Sequence, residues 1–319
     1  MTRGSLQYWP RRRATRRLPR IRSRPRHGMH LGDIIAYKAG MTSVSMIDDS
    51  ESTTKQQEIS RACTILDIPL MEMYGMRFYA KDDITGYKKV VAELYSKEIA
   101  QKLKIKSVKN DESKLDSFKQ RLSEFVDVTA LMVAYPKTLN VEQNHPERFE
   151  TSVNAKSIEE KFSFMGSHLG KEIRAGDIFK PGEYIDLVSI STGKGWQGTI
   201  KRFGTARLDH KATQKVRHIG VMGSMGIGRV LYTVPHAGQT GFNYRTERNK
   251  RILKIFEKEE TASLNRAGGF NNYGTVRGSA ILLDGTVPGP AKRLVRIKES
   301  NGNINLKGIK EPKIVEINR

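Results

Sequence analysis

Residues Gly193-Lys194-Gly195-Trp196-Gln197-Gly198 match the G-x-G-x-x-G spacing that brings backbone N–H groups against a pyrophosphate. The run follows a strand-like stretch, Tyr184 to Ile190, as a dinucleotide turn would. Its other requirements fail. A helix should come next, yet Thr199 to Thr205 contains Phe203-Gly204 and shows no apolar period of a helix. An acid should follow about 20 residues on to hold a ribose, where this chain is cationic with only Asp209 nearby. The same glycines suit another chemistry, in which backbone closes on a phosphate or a tight RNA turn beside Lys194. Gly166 to Lys171 fails as a P-loop, because the spacing is short and Glu172 stands where a hydroxyl is needed.

No other constellation of reactive side chains forms. His210, His218 and His236 lack metal-ligand spacing and have no Cys or acid partners in pattern, so phosphate or base contact is their expected role and no metal site is expected. Asp209 and Glu247 are the two acids between Gly193 and Lys254, too few for two-metal nuclease chemistry. The single Cys63 excludes a disulfide framework and a Cys-rich zinc site, and its apolar neighbours predict an inert core thiol. The chain does not read as an enzyme.

What the chain does carry is positive charge, unevenly placed. The net charge is +22 and the pI is near 10.0. Residues 64–183 hold 19 basic and 19 acidic side chains; residues 1–63 carry +8 and residues 184–319 carry +14. A neutral block between two cationic ones predicts a body with a polyanion-facing side. With 319 residues the chain can bury a core, while 37% hydrophobic and 28% charged content keeps part of it facing solvent or ligand. No apolar run approaches the roughly 20 residues of a bilayer span, and a cytoplasmic protein is expected.

Residues 1–27 hold ten arginines, no lysine and no acid. Arg3, Arg11, Arg12, Arg13, Arg16, Arg17, Arg20, Arg22, Arg24 and Arg26 are interleaved with Trp9, Pro10, Pro19 and Pro25. Such a segment buries little apolar surface, so it should be disordered on its own. Exclusive use of arginine points to phosphate, because the planar fork binds phosphate bidentately and stacks on bases. A mitochondrial transit peptide and a plain solvated tail are the alternatives; prolines interrupt the amphipathic helix that the first requires.

The elements that position these residues show in the apolar patterning. Strands are expected at Cys63 to Ile68, Met73 to Tyr79, Val90 to Tyr95 and Thr129 to Tyr135. Leu115, Phe118, Leu122 and Phe125 recur at helical spacing behind Ser113, and Ser157 with Glu160 forms a capping box opening a second helix through Phe162 and Met165. This neutral part reads as a small α/β unit. From Gly193 to Lys254 there are 13 basic residues, among them Lys194, Lys201, Arg202, Arg207, Lys211, Lys215, Arg217 and Arg229. At its centre is Gly220-Val221-Met222-Gly223-Ser224-Met225-Gly226-Ile227-Gly228, too glycine-rich for a helix. The return, Arg229 to Val234, looks strand-like. A long hairpin-like finger with a glycine-rich tip and a basic base is expected, its backbone partnered by RNA.

Gln239-Thr240-Gly241-Phe242-Asn243-Tyr244-Arg245-Thr246-Glu247-Arg248-Asn249-Lys250-Arg251 resembles the large-subunit ribosomal protein L-three family in its archaeal and eukaryotic form. Arg3-Gly4-Ser5-Leu6 and Pro10 to Ala14 resemble that family's N-terminal arm, and Tyr37-Lys38-Ala39-Gly40-Met41-Thr42 the start of its barrel. Thr192 to Gly198 is similar to its Gly-Lys-Gly turn; Gly268 to Gly274 and Gly285 to Arg293 are similar to its closing strands. The absence of a long basic C-terminal tail resembles archaeal members.

The resemblance implies a mainly β fold, a translation-protein-type β-barrel at 31–62 and 178–319 with a basic finger near 200–245, interrupted by an inserted α/β domain at 63–177. Residues 1–30 form the arm. It implies large-subunit rRNA and neighbouring ribosomal proteins as partners, a role in early assembly, and arm and finger reaching toward the peptidyl-transferase centre and aminoacyl-tRNA path. No cofactor is expected beyond Mg2+ or K+ bridging to rRNA. The rRNA-contacting set then extends to Lys38, Trp196, Gln197, Gln239, Arg245, Arg248, Asn249, Lys250, Arg251, Lys292 and Arg293. The count from Ile219-Gly220 to Gly238-Gln239 puts Met225 where the family has a finger-tip tryptophan, and Ser224, Gly226 and Ile227 replace the flanking residues. A thioether fills a gap against a base but cannot stack as an indole does. His210 falls where eukaryotic members carry a methylated histidine. Rival readings are an RNA-modifying or processing enzyme, a transiently bound translation-factor-like protein, and a mitochondrial ribosomal homologue.

Overall fold

After a two-residue strand β1 (His30–Leu31) the chain runs fifteen residues as one strand, β2 (Asp33–Ile47), around which the fold is organised. The first five residues of β2 are buried on both faces, while its later part alternates between buried and partly exposed. Double burial requires cover on each face, and an apolar core shared by two sheets supplies it. The computed structural model describes residues 4–23, 29–105, 110–155, 157–213, 215–301 and 310–318. Arg3, Arg24 and Arg26 lie outside the described residues, as does the side chain of Met225.

The strands that follow are β3 (Glu58–Ile68), β4 (Leu70–Lys81), β5 (Lys88–Tyr95), β6 (Asp127–Tyr135), β7 (Glu147–Asn154) and β8 (Tyr184–Ile190). Next come β9 (Trp196–Gln197), β10 (Gly238–Gln239), β11 (Tyr244–Phe256), β12 (Ser279–Asp284), β13 (Leu294–Glu299) and β14 (Ile314–Ile317). The fold is mainly β. In the larger sheet the antiparallel pairings run β2–β3–β12–β11–β8–β13, and β13 pairs again with β2, so the ladder returns to its first strand. β14 adds to the far half of β2. Return of the ladder leaves six strands with partners on both sides, which removes exposed edges.

Between β3 and β8 the chain builds a second sheet, ordered β1–β7–β6–β4–β5. The neutral charge block and this sheet do not share a border. Cys63 to Ile68 pair with Asp284 to Ser279 in the larger sheet, and His30–Leu31 pair with the smaller one. Charge marks where solvent or ligand is met; pairing follows backbone hydrogen bonds, which carry no charge signal. One apolar core runs through both sheets, including Ile34, Leu66 and Ile281 of the first and Met73, Phe78 and Met132 of the second.

The strands expected at Met73, Val90, Thr129 and Tyr184 are present. The helices are α1 (Lys97–Lys102), α2 (Leu115–Gln120), α3 (Ile158–His168) and α4 (Thr199–Phe203). The capping box holds α3: Glu160 N–H donates to Ser157 Oγ at 3.1 Å, and Phe162 and Met165 are buried. The spacing at Leu115 to Phe125 is not one continuous helix, since α2 stops at Gln120 and a 3-10 turn covers Leu122–Glu124. Packing explains the break. Phe118 and Phe125 both lie on Phe78, at 4.7 and 4.9 Å, with their own rings 6.3 Å apart. Seven residues of straight helix would separate them by about 10.5 Å.

A buried carboxyl fastens the loop before β12. Asp67 accepts from Tyr273 Oη at 2.7 Å and from the Gly278 and Arg277 amides at 3.0 and 3.3 Å. Burial outweighs these donors and pushes its carboxyl up to about 6. The folded chain therefore holds a proton between about pH 4 and 6 that the unfolded chain has released, and stability from this group falls as pH rises through that window. Two pKa units correspond to about 3 kcal/mol. Comparing urea midpoints at pH 4.5 and 7, the parent should show this component and Asp67→Asn should lack it; equal pH responses would refute the assignment.

Candidate nucleic-acid interface

The finger leaves the larger sheet after β8 and returns at β11. Its base is a two-residue ribbon, Gly238 opposite Gln197 and Gln239 opposite Trp196. Gly241 closes the ribbon at φ +69°, with the Thr192 carbonyl 2.0 Å from where a Cβ would sit, so no side chain fits there. Just after the glycine run is the short helix α4, where no helix was expected; Gly198 precedes it and Gly204, at φ +65°, ends it after one turn. Arg229 to Val234 is not a strand. Among the described residues no neighbouring segment pairs with it, and a strand without a partner leaves its backbone unpaired.

The arm is not free. Residues 4–23 lie on the folded body, whose contacts supply the ordering that the segment alone lacks. Ser5 Oγ accepts from Gln7 N–H and starts the turn Leu6–Tyr8. Trp9 packs on Phe203 of α4 at 5.7 Å and on Tyr232 at 6.0 Å. Ala14 N–H donates to the Phe242 carbonyl at 2.8 Å, and Asn243 Nδ2 donates to the Arg12 carbonyl at 2.9 Å. Further along, buried Arg296 donates to the Pro19 carbonyl at 3.2 Å. The anchors are a few apolar residues at irregular spacing, which no periodicity reveals.

Arginines and aromatic rings alternate along this seam. Arg11 and Arg202 both lie over Phe203, at 4.5 and 4.9 Å. Arg13 and Arg293 both lie over Phe242, at 5.0 and 5.1 Å, and Arg245 lies 4.6 Å over Tyr8. Each ring attracts cations to its face, yet the result is guanidinium beside guanidinium. Burial first, then the neighbouring charge of Arg11, holds Arg202 below the ordinary arginine range; burial and then Arg17 do the same to Arg293. Tyr8, Phe203, Tyr232 and Phe242 are the rings of this seam, which charge counting overlooks. Their signal in the sequence is aromatic residues among arginines.

The structure sorts the expected contact residues into two groups. Arg12, Arg13, Arg16, Arg17, Arg20 and Arg22 are exposed along the arm; Lys194, Trp196, Lys201, Arg207, Lys211, Lys215, Arg217, His218, Arg229 and His236 are exposed along the finger, and Arg248 beyond it. Trp196 is 76% exposed, unusual for an indole. His210 is exposed and within 2.7 Å of Asp209.

Other positions are engaged by partners within the protein. Lys38 Nζ donates to the Val287 and Gly289 carbonyls at 2.7 and 3.2 Å. Arg251 forms a two-pronged pair with Asp49 and also donates to the Lys310 carbonyl. Asn249, at φ +55°, is the bulge in β11: its N–H donates to Asp186 and its side chain accepts from Ser300. Half-buried Lys250 sits beside it, facing Gly285. Lys292 pairs with Glu142 at 2.6 Å. Gln239 donates to the Thr240 and Gly241 carbonyls and Gln197 to the Lys194 carbonyl, bracing the ribbon. Cys63 is buried, and burial pushes its thiol up to about 12. Among the described residues no group of His, Cys, Asp or Glu could hold a metal, and no helix is long and apolar enough to cross a membrane.

A mainly β body with a cationic, acid-poor margin has the make-up of a structural protein with a charged binding face. The comparisons place it among known proteins. The family model Ribosomal protein L3 matches residues 1–316, and the chain belongs to that family. The large ribosomal subunit protein uL3 of Methanopyrus kandleri is 42% identical over 307 residues, covering 93% of this chain and 84% of the relative. Those of Methanothermobacter thermautotrophicus and Pyrobaculum aerophilum are 37% and 36% identical, each covering 93% of this chain and 90% of the relative. This is a family of ribosomal structural proteins, not of enzymes.

Proposed function

We propose that the chain is a structural component of the large ribosomal subunit that binds large-subunit rRNA through its arm and finger, with neighbouring ribosomal proteins as further partners. The observation that supports this most is the pair of Arg–Phe–Arg stacks, Arg11–Phe203–Arg202 and Arg13–Phe242–Arg293, where cations gather around shared rings. Phosphates relieve that repulsion and release counterions. Helical RNA presents phosphates and 2′-hydroxyls while hiding base edges, so shape outranks sequence in this recognition. Holding several RNA segments at once supports early assembly in the cytoplasm and shapes the surroundings of the peptidyl-transferase centre and the aminoacyl-tRNA path. Mg2+ or K+ ions bridging to RNA complete the contacts.

The test is sedimentation of large subunits through a high-salt sucrose gradient. The chain should remain with the subunit after transiently bound factors are stripped, and backbone cleavage mapping should show RNA protected along arm and finger. Release at moderate salt would point to a transient factor instead.

A further inference from the structure

Where the arm crosses the finger, the two leave an open notch of about 640 Å3, lined by Leu6, Trp9, Pro10, Arg11, Arg12, Arg202 and Tyr232. Neither element forms it alone. Residues 6–12 supply one wall, and Arg202 and Tyr232 the other. Its size falls within the range of small-molecule sites, about 300–1,000 Å3.

Besides Leu6 and Pro10, the lining has two kinds of side chain. Three are arginines, and no acid is among them. Two are aromatic: Trp9 meets Tyr232 edge to face at 76°, and Tyr232 is 69% exposed, an aromatic surface left open beside the charges. Arg202 is held in place by the His236 and Gln239 carbonyls, at 2.8 and 3.1 Å, and so cannot swing away from Arg11. The indole N–H of Trp9 is buried and has no acceptor among the described residues. Such a donor is costly to leave without one.

We propose that this notch takes one unstacked nucleotide of single-stranded RNA, its base against Tyr232 and Trp9 and its phosphate between Arg11 and Arg202. The inference rests on the RNA-binding reading above and adds what is bound here. A duplex would satisfy the arginines, but its bases stay stacked on one another and leave the rings without a partner. A splayed-out nucleotide satisfies both, since any base offers a face to an aromatic ring. Because the walls come from two segments, an inserted nucleotide also pins the arm to the finger.

The chain has two tryptophans, so Trp196→Phe in the full-length protein leaves Trp9 as the sole indole reporter. Its emission is followed during titration with a short oligouridylate and with an RNA duplex of equal length, while anisotropy of labelled RNA reports total binding. The oligouridylate should quench Trp9 saturably. Adding Tyr232→Ala should weaken the affinity read from quenching about fivefold or more, the scale of one base–aromatic stack; Tyr232→Phe should retain it. The duplex should bind by anisotropy without quenching. The proposal is overturned if the oligouridylate binds but leaves Trp9 emission unchanged, if Tyr232→Ala stays within twofold of its parent, or if the duplex quenches equally. Absence of RNA binding by anisotropy would overturn the RNA-binding reading together with it. Tyr232 is exposed, and an unchanged far-UV spectrum checks that its variants fold.

Discussion

Raising monovalent salt from 50 to 200 mM should weaken binding of the full-length chain to large-subunit rRNA roughly 250- to 1,000-fold. The estimate takes six phosphates neutralised, which gives a slope of log affinity against log salt near −4 to −5. The structure says which cations set that slope. Exposed Arg12, Arg16, Lys194, Lys201, Arg207 and Lys215 have no carboxylate partner among the described residues. Lys38 holds backbone carbonyls and Arg251 holds Asp49. Lys201→Gln should therefore reduce the slope by about 0.7–0.9, whereas Lys38→Gln should leave it unchanged. A shallow slope, near −1, would mean that charge neutralisation does not drive binding. Equal effects of the two variants would mean that the division between exposed and inward-facing cations is wrong.

Replacing Arg296 with methionine should cost about 3–5 kcal/mol of stability, the scale for breaking a buried ion pair from one side. Asp33 is fully buried, and the Arg296 guanidinium grips it with two nitrogens. The same guanidinium donates to the Glu150 carbonyl of β7 at 3.0 Å and to the Pro19 carbonyl of the arm, and lies over Phe149. Without it a carboxylate is left in the core beside Thr151, its remaining donor among the named contacts. The loss should appear as a lower urea midpoint at unchanged slope. The double variant Asp33→Asn/Arg296→Met should recover much of it, because the stranded charge is removed. Residues 4–23 should also become more susceptible to protease, having lost the Pro19 anchor. A single-variant cost below about 1 kcal/mol would show that water reaches Asp33.

Much of the architecture is legible in the sequence. The strand Tyr184–Ile190 is a short run of mostly apolar residues, and the capping box of α3 uses local hydrogen bonds that depend on residues three apart. The cationic margins were plain from counting charges. Other elements were hidden, each for its own reason. Cys63 to Ile68 reads as a strand, but nothing local says that its partner is Ser279–Asp284, more than two hundred residues away. Phe118 and Phe125 keep helical spacing, yet a shared contact with Phe78 breaks the helix between them. Lys38 and Arg251 look like RNA ligands by the family resemblance, and the fold gives them partners within the protein.

Net charge, apolar periodicity and local caps depend on residues close together in the chain, and these the amino-acid order determined by itself: a cationic protein with several strands and a capped helix, without a catalytic cluster in its pattern. The tertiary structure alone decided which charges remain outside. Whether an arginine meets a carboxylate, a carbonyl or solvent depends on what distant segments bring to it, as Asp33 does for Arg296 and Asp49 for Arg251. The arm shows the same division. Its arginines are evident in sequence, but their seat on Phe203 and Phe242 comes from residues nearly two hundred positions or more away, on the finger and its return to the sheet.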